Sequence, residues 1–226
     1  MTQQRGRTFA ALAIVAVVGV IGVWVAGRWT PAVPADAASV VLARTTLVGE
    51  VTPDPAEGTD PASVPREPFG SECLDPIVRP AGPLSLCWNA YRVGAEADPT
   101  KDYYRLGVSG TFGGETGTGV RWAVVRVRVV GEPAGRVFEG WPRGVVEGSC
   151  RQVEVAFGLA TEPVFHTVCG GTTGTTDDVA WSHTVSWVCT GCLVADHADR
   201  EIALEVFVGM PEGVVPTFEI FADLGG

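Results

Sequence analysis

Lysine is almost missing from this chain of 226 residues: Lys101 is the one example, and Asn89 is the one asparagine. Both shortages follow a general bias toward alanine, glycine, valine and arginine rather than a physical demand. Basic residues of any kind are few. Apart from Arg5, Arg7 and Arg28 near the amino terminus, 13 basic residues stand against 26 acidic ones, a formal charge of −13 for everything after residue 28. Such a surface lacks the basic patches that neutralise phosphates, which argues against nucleic acid and anionic lipid surfaces as partners and for simple solubility. Also missing are an internal repeat, a G-x-S-x-G nucleophile elbow and, from Ser71 onward, any helical periodicity. The HTVC stretch at 166–169 does not make a recognisable Cys–His dyad. No constellation names a reaction, and no cofactor is called for.

What is present begins with FAALAIVAVVGVIGVWVAG, residues 9–27, nineteen residues without a charge. As a helix it would cross a hydrocarbon core of roughly 30 Å. Arg5 and Arg7 precede it without an acid, so the positive-inside bias places residues 1–8 in the cytoplasm and the rest outside. Trp24 and Trp29 lie where an interfacial anchor belongs. The competing reading is a cleavable signal, because Ala35 and Ala37 have small-x-small spacing and cleavage would release a secreted protein. The apolar run exceeds a signal core of about 7 to 15 residues, which favours a single-pass signal-anchor in the cell membrane.

Ten of the sixteen prolines fall between Pro31 and Pro83, and TPDPAEGTDPASVPREP has almost nothing apolar to bury. Residues 28–70 therefore read as an extended extracytoplasmic linker, with VVLARTTLVGEV at 40–51 left open between strand and linker. Residues 71–226 read as one domain. Tyr104, Leu106, Val108 and Phe112 alternate with Arg105, Ser109 and Thr111, and Val153, Val155 and Phe157 alternate with Gln152 and Glu154. In GVRWAVVRVRVVG the apolar phase slips at Val124 and Val125, which predicts a β-bulge there. Further strands are expected at 136–141, 164–169, 179–189, 201–208 and 216–222, about eight in all, between turn-rich stretches such as GGETGTG, GEPAG and GGTTGTTDD. Short alternating strands at this spacing predict an all-β fold, an immunoglobulin-like β-sandwich behind the single N-terminal transmembrane helix.

Six cysteines, Cys73, Cys87, Cys150, Cys169, Cys189 and Cys192, make an even set in an exported chain, the mark of a disulfide framework. Fifteen pairings are possible. Local pairing (Cys73 with Cys87, Cys150 with Cys169, Cys189 with Cys192) is the least entangled for a chain of hairpins. The last pair would staple a turn around Thr190 and Gly191.

The same WVCTGC, with VVPTFEIF downstream, resembles the redox motif and the proline-bearing strand of thioredoxin-like oxidoreductases. That resemblance implies an exported thiol-disulfide oxidoreductase using Cys189 and Cys192, the alternative function. It also requires a helix at the first cysteine, whereas Ile202, Leu204, Val206 and Val208 soon alternate as a strand. Zinc would draw on His183, Cys189, Cys192 and His197 at a spacing that fits no common finger, and His183 shares its face with Trp181, Val185 and Trp187. It reads instead as a hydrogen-bonded histidine on an apolar face. Asp177 with Asp178, or Asp196 with Asp199, offer calcium oxygens without a calcium-loop pattern. Trp88, Tyr91, Trp122 and Trp141 could stack on sugars if exposed, though tryptophans in such domains are mostly core. The expectation is a membrane-tethered extracytoplasmic β-domain that binds a protein or glycan partner or serves a structural role at the cell surface.

Overall fold

The computed structural model describes residue 33 and residues 41–46, 67–93, 98, 100–113, 117–134, 137–155, 164–189 and 198–226. All belong to a unit spanning Ala32–Gly226. The described residues contain no α-helix and fourteen strands: β1 (Val41–Thr46), β2 (Glu67–Cys73), β3 (Ile77–Arg79), β4 (Gly82–Val93), β5 (Lys101–Phe112), β6 (Trp122–Val130), β7 (Phe138–Trp141), β8 (Gly144–Val146), β9 (Arg151–Val155), β10 (Val164–Val168), β11 (Thr172–Asp177), β12 (Ser182–Val188), β13 (Arg200–Pro211) and β14 (Thr217–Gly225). One six-stranded sheet has the order β1-β14-β6-β12-β11-β8. The second runs β2-β4-β5-β13-β7 with β3 beside β4, and β9 and β10 form a hairpin of their own. Every pairing is antiparallel.

Alternation explains how the two large sheets come to share a core. Leu84, Leu86, Trp88 and Ala90 on β4 are buried while Ser85, Cys87 and Asn89 between them are exposed, so one face of the strand supplies the core. On β5 the inward set is the predicted one, Tyr104, Leu106, Val108 and Phe112. The opposing sheet contributes Val125, Val127 and Val129 from β6 and Phe218, Ile220 and Leu224 from β14 to the same apolar cluster. Fully burying one such side chain stabilises by about 1.5–3 kcal/mol. The chain crosses between sheets at Trp141-Pro142, which links β7 to β8. There Gly174 admits the Pro142 carbonyl, since a Cβ at position 174 would lie 1.7 Å from that oxygen.

Three expectations need correction. The bulge expected at Val124 and Val125 is absent: β6 stays in unbroken register with both β12 and β14. The phase slip has another cause. Ala123, Val125, Val127 and Val129 face the core, whereas Trp122 and Val124 pack with Phe221 and Val33 on the other face, so both faces of β6 are apolar at that end. The turn-rich GGTTGTTDD contains strand β11, paired with β12 and β8, because threonines suit a pleated, half-buried surface. The count of about eight strands is too low, with β2, β3, β4, β8 and β11 unforeseen.

Two strands lie in or reach into residues 28–70. VVLARTTLVGEV contains β1, which pairs with β14, and β2 starts at Glu67 and pairs with β4. The Pro-rich residues between them are thus joined to a strand at each end, β1 in one sheet and β2 in the other. The proposed membrane helix, residues 9–27, lies outside the described residues; among those described, no helix is long and apolar enough to cross a membrane.

Candidate functional site

The face of the β4-β5-β13-β7 sheet turned away from the core is where polar chemistry gathers. Antiparallel register sets its side chains in rows: Ser85, Thr111 and Glu201; then Cys87, Ser109 and Ala203; then Asn89, Gly107, Glu205 and Trp141; then Tyr91, Arg105 and Phe207. Glu205 and Arg105 are diagonal neighbours on adjacent strands, both deeply buried, and the Arg105 guanidinium donates from Nε to Oε2 of Glu205. Gly107 makes the space for this. A Cβ there would lie 2.6 Å from Oδ1 of Asn89 and 2.8 Å from Oε1 of Glu205.

The β9–β10 hairpin is laid on this face. Val155 packs with Tyr103 and Phe207, whose rings stack at 5.5 Å, and with the flanking Val93, Val137 and Trp141. His166 on β10 brings Nε2 to 2.6 Å from Oε1 of Glu205 and lies 5.7 Å from the Trp141 ring, nearly parallel to it. Glu205 is therefore shared between a guanidinium from its own sheet and an imidazole from the hairpin. Beyond Arg151 and Val168, the first pair of the hairpin, Cys150 and Cys169 are joined by a disulfide that closes its open end. A second buried ion pair on this sheet joins Arg92 to Asp102 at 2.6 Å, and the Gly213 amide donates to the other Asp102 oxygen at 2.7 Å.

A groove of about 410 Å³ runs beside the hairpin. Ser85, Ser109, Thr111 and Glu201 come from the sheet, and Phe165, His166 and Thr167 form the hairpin wall. Three consecutive residues of a strand point to alternate faces, so that wall is the edge of β10 and presents backbone groups as well as side chains. The Phe165 side is open to solvent, the residue being 56% exposed.

Of the residues singled out from sequence, Cys87, Tyr91, Trp141, Cys150 and Cys169 lie at this face or its hairpin, and the others fall elsewhere. Cys73 and Cys87, directly opposed on β2 and β4, form a disulfide. Cys189 is also disulfide-bonded and buried just after β12, so it is no thiolate ligand for zinc. Cys192, Asp196 and His197 lie outside the described residues. His183 is fully buried and shares a hydrogen bond of 2.9 Å between Nδ1 and the Thr176 hydroxyl. Burial pushes its pKa down to about 4, opposed in part by the Trp141 and Pro142 carbonyls. Its ring fits only because Gly140 has no Cβ, which would stand 2.1 Å from Cγ. Asp177 does not wait for calcium: its Oδ1 accepts the Val179 and Ala180 amides at 2.9 Å and shapes the β11–β12 turn. Asp178 and Asp199 are exposed. Among the described residues no group of three or more His, Cys, Asp or Glu side chains is placed to hold a metal. Trp88 is core, while Tyr91, Trp122 and Trp141 are half-buried, Trp141 beneath His166.

Sequence reasoning missed the His166–Glu205–Arg105 group, whose members come from three strands. One signal was available: Arg105 and Glu205 are each the one charge within an apolar stretch of a long strand, YYRLGV and IALEVFVGM. The chain matches no protein-family model and no curated protein.

Proposed function

We propose that this chain is a membrane-tethered extracytoplasmic domain, an immunoglobulin-like sandwich held at the cell surface by the apolar segment 9–27 to bind a protein or glycan partner. Export is supported by cysteine use: Cys73, Cys87, Cys150, Cys169 and Cys189 are all disulfide-bonded, as in oxidising compartments. The immunoglobulin-like reading rests on two antiparallel sheets around one core; the hairpin and short edge strands are additions to the seven to nine strands of that architecture. The observation that carries a binding role is the open groove bordered by β10, which is concave, rimmed by an exposed aromatic ring and lined with hydrogen-bonding groups. Cys189, buried at the end of a strand, lends no support to a redox role.

The test is fractionation of cells expressing the full chain with a C-terminal tag, with protease added outside. Recovery in the membrane pellet with a tag that external protease removes is expected. A soluble, exported product starting at Asp36 or Ala38 would remove the tether, and a reduced cytoplasmic product would overturn the reading altogether. Turnover in an insulin-reduction assay, lost on replacing Cys189, would favour the oxidoreductase instead.

A further inference from the structure

We infer that the groove between β10 and the outer face of β4, β5 and β13 is a subsite for a neutral saccharide. This rests on the proposal that the domain is displayed outside the cell and binds a partner there. The chemistry of the lining selects the class. Ser85, Ser109, Thr111 and Thr167 offer hydroxyls, each both donor and acceptor, and Glu201 offers an exposed carboxylate that can accept from a pair of adjacent sugar hydroxyls. Among the described residues no lysine or arginine lines the groove, and Glu201 would repel a phosphate, sulfate or carboxylate on a ligand. The surplus of acid over base after residue 28 points the same way.

Geometry supplies the second part. Ser85 and Thr111 are directly opposed on neighbouring strands, and Ser109 precedes Thr111 by two residues on the same face. Their hydroxyls therefore form a grid with steps of about 4.8 Å across the strands and about 6.8 Å along them, spacings that the separated hydroxyls of a sugar ring can bridge. The β10 edge adds backbone donors and acceptors along one side. Phe165 supplies the apolar element, a ring free to meet the C–H face of a pyranose. The volume of about 410 Å³ lies at the small end of ligand sites and suits one or two sugar rings. The Cys150–Cys169 disulfide ties the two hairpin strands to each other and the His166–Glu205 contact fastens the hairpin to the sheet, so the groove is preformed.

The full chain, in a phosphocholine detergent that carries no sugar, is titrated with cellotetraose, maltotetraose, mannotetraose and xylotetraose and followed by saturation-transfer NMR. At least one is expected to bind, with affinity falling about tenfold or more in Phe165→Ala and in the double variant Ser109→Ala/Thr111→Val, whose side chains are solvent-exposed. Circular dichroism checks that both variants remain folded, and Val78→Ala, on exposed β3, should bind as the parent does. The saccharide assignment is overturned if none of the four binds at millimolar concentration, if binding survives both variants, or if only a sulfated tetrasaccharide or an extended peptide binds. Any of these, with the tag still exposed on the cell surface, would reject the saccharide while leaving the surface-domain reading in place.

Discussion

Among the described residues, each large sheet buries one glutamate on the face turned away from the shared core, and the two are held differently. Glu205 on β13 is 2% exposed, and its partner Arg105 is as deeply buried, with His166 reaching in from the hairpin. Glu219 on β14 is fully buried too, but its partner Arg128, which donates from Nε at 2.9 Å, has a side chain 48% exposed and shares Phe221 with Arg126. A buried carboxylate paired to a half-exposed guanidinium keeps most of its cation's hydration. One paired to a buried guanidinium relies wholly on protein partners. The outer face carrying Glu205 is covered by the β9–β10 hairpin, whereas on the outer face carrying Glu219 it is Val33 that packs with Trp122, Val124 and Phe221.

Breaking the two pairs should sharpen this contrast. Glu205→Ala strands the Arg105 charge in the interior and is expected to cost about 3–5 kcal/mol of unfolding free energy, whereas Glu219→Ala lets Arg128 return to water and should cost about 1–2 kcal/mol. Urea denaturation of both variants at pH 7.5 measures the difference, and equal losses would dissolve the distinction. Next in size is the hairpin's own closure. Replacing Cys150 and Cys169 together by alanine opens a ring of about the length for which chain entropy gives around 3 kcal/mol, and protease sensitivity should rise at the hairpin first.

How much of this was legible in sequence differs between the faces. The inward faces of β5 and β13 were readable because burial on one side imposes alternation, and Tyr104, Leu106, Val108 and Phe112 fall where the pattern puts them. The outward faces were not. When cover comes from another element, the outward residues are apolar too, as at Trp122 and Val124, and the alternation that marks a strand dissolves into an apparent phase slip. Strand β4 alternates as clearly as any, yet it follows directly on the Pro-rich stretch, whose composition hid it. The groove and the His166–Glu205 contact depend on where a hairpin docks, and neither spacing nor periodicity encodes that.

Another buried ionisable group extends the comparison, because His183 is held by a hydroxyl and by backbone carbonyls rather than by an opposite charge. Its pKa is about 4 in the folded chain against 6.5 when exposed, so below 6.5 the unfolded state takes up a proton that the folded state refuses. Stability from this residue is complete above about pH 6.5 and declines by up to about 3 kcal/mol as pH falls to 4. Urea midpoints across that range should show the loss in the parent and a shallower one in His183→Gln. The smallest effect belongs to Arg143 and Glu139, an ion pair with both side chains largely in solvent: Glu139→Gln should change stability by less than about 0.5 kcal/mol in the same assay.

The claim that the β9–β10 hairpin is fastened to the outer face through Glu205 is tested most directly by amide hydrogen exchange in the parent and in His166→Ala. Removing the imidazole should speed exchange in residues 151–155 and 164–168 while β4, β5 and β13 keep their protection. Unchanged exchange in the hairpin, or a loss of protection spread evenly over both large sheets, would contradict it.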